Sequence, residues 1–93
     1  MGQTSYEGHK DDLIRRLRKM EGQVRGLQQM IEDNRYCLDI VQQVNALTAA
    51  AREVALIVVE DHLRGCVAKA ANDDEREAMI KEMMRVLSRT SRL

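Results

Sequence analysis

The sequence predicts an all-α protein of three helices, the second of them much the longest. Two observations support this fold class. The 93 residues include no proline, phenylalanine or tryptophan, and residues with high helix propensity dominate the rest. Apolar residues recur at helical spacing, and polar clusters that could end a helix occur only near positions 33–35 and 72–74.

The first helix is expected from about residue 9 to about residue 33. Its apolar residues follow one another in steps of four and three, a heptad pattern typical of a helix that packs on another helix. They are Leu13, Leu17, Met20, Val24, Leu27 and Ile31. Asp11 and Asp12 suit its start, because carboxylates are favourable at a helix N-terminus.

The second helix is expected from about residue 36 to about residue 71, with apolar residues around its whole circumference. The run 54–59 could be a strand if taken alone, but neither flank carries a turn signal, so we assign it to the helix. A helix that is apolar on all sides must be buried on several of them. In so short a chain this predicts burial against other subunits.

The third helix is expected over about residues 74–88, and Asn72 with Glu75 has the spacing of a capping box. We expect residues 1–93 to form a single domain. No apolar run reaches the roughly 18–20 residues that span a bilayer, and no export signal is visible. The expected location is therefore the cytoplasm, without a membrane partner. Cysteines stay reduced there and favour metal or redox chemistry.

Cys37, His62 and Cys66 form the candidate metal site. His62 and Cys66 are four residues apart, so they share one face of the second helix. Cys37 begins that helix, about 37 Å from His62 at 1.5 Å per residue. One site for all three therefore requires Cys37 from a second, antiparallel chain, and a two-fold dimer would hold two such sites. Two thiolates and one imidazole favour Cu(I) over structural zinc, which usually takes four protein ligands.

Three segments resemble the copper-sensitive operon repressor family, which also includes nickel/cobalt, formaldehyde and persulfide sensors. They are LRKMEGQVRG at 17–26, YC at 36–37 followed by QVNAL at 43–47, and DHLRGCV at 61–67. The resemblance extends from about residue 10 to residue 87. It implies a disc-shaped dimer of dimers that binds operator DNA when ligand-free and releases it on sensing. We do not expect an enzyme, because the sequence shows no general-base constellation and no phosphate-binding loop.

The resemblance also implies roles for individual residues. Cys37, His62 and Cys66 match the family's copper ligands, while Tyr36 and Glu82 match positions that link the metal site to DNA release. Arg16 matches a DNA-binding position of the first helix. A second family arginine falls on Glu53, which puts that contact in doubt although Arg52 is adjacent.

Spacing alone predicts a further basic surface opposite the heptad pattern. Arg15, Arg18 and Arg25 lie on this side of the first helix and could contact DNA phosphates. A solvated helix face that binds nothing is the alternative reading of the same residues.

Three other functions stay open at this stage. The same fold could sense reactive sulfur, with Cys37 and Cys66 of opposing chains joined by a disulfide or polysulfide link. It could sense nickel or cobalt, with His9 as an additional ligand. It could also buffer metal without binding DNA. The formaldehyde branch relies on an N-terminal proline, which this chain lacks.

Overall fold

A computed structural model describes residues 6–91, except for the side chains of residues 66, 67, 87, 90 and 91. The elements are a 3₁₀ helix (Glu7–His9), α1 (Lys10–Glu32), α2 (Cys37–Lys69) and α3 (Asp73–Ser91). No strand occurs among the described residues. The predicted all-α class with a long second helix is confirmed, and the run 54–59 lies within α2.

The end of α1 is set by Asn34, which has a positive φ of 57°. The backbone N–H of Arg35 donates to the carbonyl of Met30 at 3.0 Å, and that of Asn34 donates to Ile31 at 3.1 Å. This pair of bonds around a left-handed residue is a Schellman motif, which satisfies carbonyls that the helix leaves open. The polar cluster at 33–35 therefore ends α1 for a defined reason.

The long helix α2 starts at once after this break. The carbonyl of Tyr36 accepts hydrogen bonds from the backbone N–H groups of Asp39 and Ile40, at 3.0 and 3.3 Å. The helix then continues for 33 residues to Lys69. No proline interrupts it, so every residue after its first turn can donate to the preceding turn.

The start of α3 carries the expected cap. The backbone N–H of Glu75 donates to Asn72 Oδ1 at 2.8 Å. The side chain of Glu75 turns back and accepts from the backbone N–H of Ala71 at 3.0 Å. The two bonds satisfy donors before and inside the first turn, as in a capping box, although the glutamate reaches the residue before the N-cap.

Contacts divide the described chain into two compact units. The first contains residues 11–54, which are α1 from its second residue and the first half of α2; Leu13 is its buried residue, 5% exposed. The second contains residues 6–10 with the rest of α2 and α3, and it buries Met83 and Asp61. That the whole chain acts as a single domain stays a prediction.

The heptad pattern of α1 is only partly covered within one chain. Leu13 is buried and Met20 and Leu27 are half-buried. The alternating positions Leu17 and Ile31 are 43% and 61% exposed, and Val24 between them is exposed too. Each chain thus leaves an apolar row on α1 open. No helix among the described residues is long and apolar enough to cross a membrane.

The cap of α3 gives a stability prediction. Replacement Asn72→Ala removes the acceptor for the Glu75 N–H and should lower the free energy of unfolding by about 1 kcal/mol. The measurement is urea denaturation followed by circular dichroism at one fixed protein concentration, because association would shift the midpoint. Ser88→Ala, at an exposed position inside α3, is the matched control and should not destabilise. An equal loss in both variants would contradict the cap's role.

Candidate functional site

Cys37 and Tyr36 lie at the start of α2, in the first unit. Cys37 is the first residue of the helix, and its thiol is free and exposed. The Tyr36 side chain is 65% exposed, while its backbone carbonyl receives the first bonds of the helix. Backbone geometry therefore fixes both residues, and both side chains remain accessible to another molecule.

His62 and Cys66 lie near the end of the same helix, in the second unit. The side chain of His62 is half-buried. Cys66 follows one turn later in α2, but its side chain lies outside the described residues. Among the side chains that are described, no group of three or more histidine, cysteine, aspartate or glutamate residues could hold one metal ion. In this uninterrupted helix His62 comes 25 positions after Cys37.

Asp61, directly before His62, has a partner that sequence spacing does not reveal. His9 Nδ1 donates to Asp61 Oδ2 at 2.6 Å, across 52 residues of chain. The side chain of Asp61 is 9% exposed, and the side chain of His9 is 53% exposed. The carboxylate of Asp61 thus holds the last residue of the 3₁₀ helix against α2. Glu82, the other expected partner of the metal site, is exposed on α3.

The expected DNA-binding surface on α1 is organised by Asp12. Its carboxylate accepts a hydrogen bond from Arg16 Nε at 2.9 Å and another from Arg15. The bond from Arg16, more than the one from Arg15, lowers the pKa of Asp12. In return, the bond to Asp12 raises the pKa of Arg16, and Glu53 adds a smaller attraction in the same direction.

A groove lies between α1 and the first half of α2. It encloses about 300 Å³, and its lining consists of three cationic side chains, one amide and two small residues: Arg15, Arg16, Lys19, Gln23, Ala46 and Ala50. The side-chain oxygen of Gln23 is buried and has no hydrogen-bond partner among the described residues. The remaining expected arginines, Arg18, Arg25 and Arg52, are exposed.

The structure thus groups the expected residues only in part. Arg15 and Arg16 share one carboxylate and line one groove. Sequence reasoning missed two features, the orienting role of Asp12 and the bond between His9 and Asp61. The first had a signal, because residues three and four apart on a helix are neighbours. The second had none, because the pair is joined only by tertiary structure.

Comparison with known proteins gives consistent matches. The family model for metal-sensitive transcriptional repressors matches residues 9–89. The copper-sensing repressor CsoR of Bacillus subtilis is 45% identical over 80 residues, which cover 86% of this chain and 79% of that protein. The copper-sensing repressor RicR of Mycobacterium tuberculosis is 48% identical over 65 residues, 70% of this chain and 68% of the relative.

A solved structure agrees with these sequence matches. The crystal structure of the copper-sensing repressor CsoR with Cu(I) from Geobacillus thermodenitrificans has a TM-score of 0.76 and 40% identity. The match covers 98% of this chain and 93% of that one. The fold of this chain therefore agrees with that of this solved repressor.

The charge pairing on α1 predicts a pH dependence. The folded-state pKa of Asp12 lies below its ordinary value of 3.8, which we take for the unfolded chain. Its contribution to stability is therefore fully present above that ordinary value and is lost as pH falls through the folded-state pKa. Carboxyl NMR titration should show this depressed pKa in the wild type. Arg16→Gln should move it back toward the ordinary value, while Arg18→Gln, at an exposed position on the same helix, should leave it in place. A pKa that Arg16→Gln does not change would contradict the pairing.

Proposed function

The chain belongs to the family of metal-sensitive transcriptional repressors, which are regulators and not enzymes, and from this premise we propose that it is a Cu(I)-responsive repressor. It binds operator DNA in the metal-free form. Coordination of Cu(I) by Cys37, His62 and Cys66 releases the DNA. The observation that carries the proposal is the presence of all three ligands on one uninterrupted helix, in a chain whose relatives named above are copper sensors.

The donor set supports Cu(I) on chemical grounds. Thiolate sulfur is a soft ligand that selects Cu(I), and imidazole suits copper as well. Three protein ligands are too few for a structural zinc site, which is usually closed by four. Cys37 is a free and exposed thiol, and half-buried His62 supplies a nitrogen donor. Bound Cu(I) would supply a fixed link between these donors.

The length of α2 supports a site shared between two chains. His62 follows Cys37 by 25 residues of continuous helix, which corresponds to about 37 Å at the usual rise. A second chain running antiparallel brings its Cys37 to the His62 and Cys66 of the first. Because a two-fold contact is the same from both sides, each dimer holds two equal sites.

Exposed apolar side chains support the further assembly. Leu17, Val24 and Ile31 form an open row on α1, and α2 exposes Leu38, Val41 and Val44. Burying exposed apolar rows of this size against another chain lowers the free energy of the assembly. We propose that the whole chain acts as a single domain, and that dimers pair into the disc-shaped tetramer that the family resemblance implies.

Operator DNA is the proposed partner of the basic residues. Arg15 and Arg16 line the groove on α1, and Arg18, Arg25 and Arg52 are exposed and able to reach phosphates. Such contacts give affinity and salt dependence but little sequence information. Asp12 fixes the Nε side of Arg16, which leaves the two terminal nitrogens of its guanidinium to donate.

Tyr36 and Glu82 are proposed to connect metal binding with DNA release. A histidine that binds metal through one ring nitrogen commonly donates from the other to a carboxylate or carbonyl. Glu82 on α3 and Tyr36 beside Cys37 are the groups we assign to this role. Both side chains are exposed in one chain, so partners from the assembled dimer can reach them.

The main test replaces His62 with alanine. Operator binding is measured by fluorescence anisotropy, first without ligand, then with Cu(I), and separately with a polysulfide donor. We expect the variant to bind DNA when metal-free, to lose most of its Cu(I) response and to keep any response to polysulfide, because two thiols suffice for a sulfur link. The same three measurements are made on the wild type in parallel.

Three results would overturn the proposal. Failure of the metal-free wild type to bind operator DNA would rule out a repressor and leave metal buffering. Full release of the His62→Ala variant by Cu(I) at wild-type affinity would remove His62 from the site, and release by polysulfide alone would assign the protein to sulfur sensing.

The shared site has a separate test in mixed oligomers. Chains carrying Cys37→Ala and chains carrying His62→Ala each lack a complete site when alone. Refolded together in equal amounts, they should regain about one quarter of the wild-type Cu(I) capacity, because half of the dimers are mixed and each of these has one intact site of two. Binding is measured by competition with a chromophoric Cu(I) chelator.

A control and a contrary result complete this test. Mixing without unfolding should restore less, since subunits must exchange first. If the site lay within one chain, no mixture could contain an intact site, and the capacity would stay at the level of the separate variants.

A further inference from the structure

The bond between His9 and Asp61 joins the two segments on which the proposed function depends. Asp61 directly precedes the proposed ligand His62, and His9 directly precedes the first residue of α1, Lys10. His9 Nδ1 and Asp61 Oδ2 are 2.6 Å apart, within hydrogen-bond distance. The contact links the metal-binding part of α2 to the start of the helix that carries Arg15 and Arg16.

The burial of Asp61 shows that the contact is built into the fold. It is the buried polar residue of the described chain, 9% exposed. A buried carboxylate without a partner is costly, and a hydrogen-bond donor is needed to offset that cost. His9 provides this donor through its bond to Asp61.

The N-terminal segment is itself shaped for this contact. The backbone N–H of His9 donates to the carbonyl of Tyr6 at 2.8 Å, and that of Lys10 donates to Glu7. These bonds close the 3₁₀ helix that presents His9. Residues 6–10 belong to the same compact unit as the second half of α2, while α1 from Asp11 onward belongs to the other unit.

We infer that His9 and Asp61 form a clasp that fixes the start of α1, at Lys10, on α2 beside the proposed ligand His62, and that the clasp couples Cu(I) binding to DNA release. The inference rests on the proposed function. A change in the backbone or ring of His62 on Cu(I) binding would act on Asp61, its direct neighbour in α2. From Asp61 it would reach His9 through one hydrogen bond, and Lys10, the first residue of α1, through one peptide bond. Both residues act here by position and not as ligands.

The test separates binding from coupling. For the wild type, His9→Ala and Asp61→Ala, we measure three quantities: Cu(I) affinity by chelator competition, operator affinity without metal, and operator affinity with saturating Cu(I). The coupling is the ratio of the two operator dissociation constants. We expect both variants to keep the first two quantities within about threefold and to lose roughly tenfold or more of the ratio, which is the usual range of such couplings.

Two further variants exclude a general structural effect. His9→Asn places an amide nitrogen about where Nδ1 lies and can still donate to Asp61, so it should keep most of the coupling. Glu60→Ala removes an exposed acid next to Asp61 that pairs with Arg64 at 3.5 Å, and it should behave as the wild type. The double variant should equal each single variant, because both remove one interaction.

The outcomes are distinct from those that test the proposed function. If Cu(I) does not release the wild type from DNA, the proposed function fails and the coupling inference fails with it. If the wild type responds and His9→Ala responds equally, only the clasp is wrong. A large loss of Cu(I) affinity in His9→Ala would make His9 a ligand and also overturn the positioning role. Should Asp61→Ala fail to fold, the half-exposed His9 still carries the test.

Discussion

The continuity of α2 is the constraint on which the proposed site depends. A helix of 33 residues without a break cannot fold back on itself, so residues in its first and last turns have to find partners elsewhere. Cys37 occupies the first position, and His62 and Cys66 come near the end. A shared site between two chains follows from helix geometry once these residues are taken as one ligand set. Sensing and oligomerisation then become one property, because the ligand set is complete only in the assembled protein.

The small core of one chain leads to the same conclusion by an independent route. Leu13 and Met83 are the buried apolar residues of the described chain. The heptad pattern of α1 explains how this arises, since Leu13, Met20 and Leu27 face other parts of the chain and the alternating Leu17, Val24 and Ile31 remain exposed. Burial of that second row requires another helix of the same kind. A protein that relies on partners for its core can also change its pairing when a ligand links the chains.

Local features were predictable from the sequence because local chemistry determines them. The polar cluster around Asn34 ends α1 through a left-handed residue, and Asn72 with Glu75 starts α3 through side-chain hydrogen bonds. The heptad spacing predicted that α1 packs along one side, but it could not tell which half of the row a single chain covers. The bond from His9 to Asp61 could not be predicted from the sequence, since the partners lie 52 positions apart and no spacing rule connects them.

The charges around Arg16 show how the chain departs from a simple basic surface. Asp12 accepts two arginine hydrogen bonds, and Glu53 attracts Arg16 from α2. Each carboxylate offsets part of the positive field that would attract DNA. The same carboxylates restrict the side chain of Arg16, which reduces the entropy lost when its guanidinium meets a phosphate. The exposed Arg18, Arg25 and Arg52 form no such ion pair among the described residues. In the proposed complex with DNA they would contribute attraction over distance, while Arg16 would contribute orientation. Under the proposed function, affinity for the DNA and placement on it would therefore depend on different arginines, and a substitution at Asp12 should affect the placement more than the affinity.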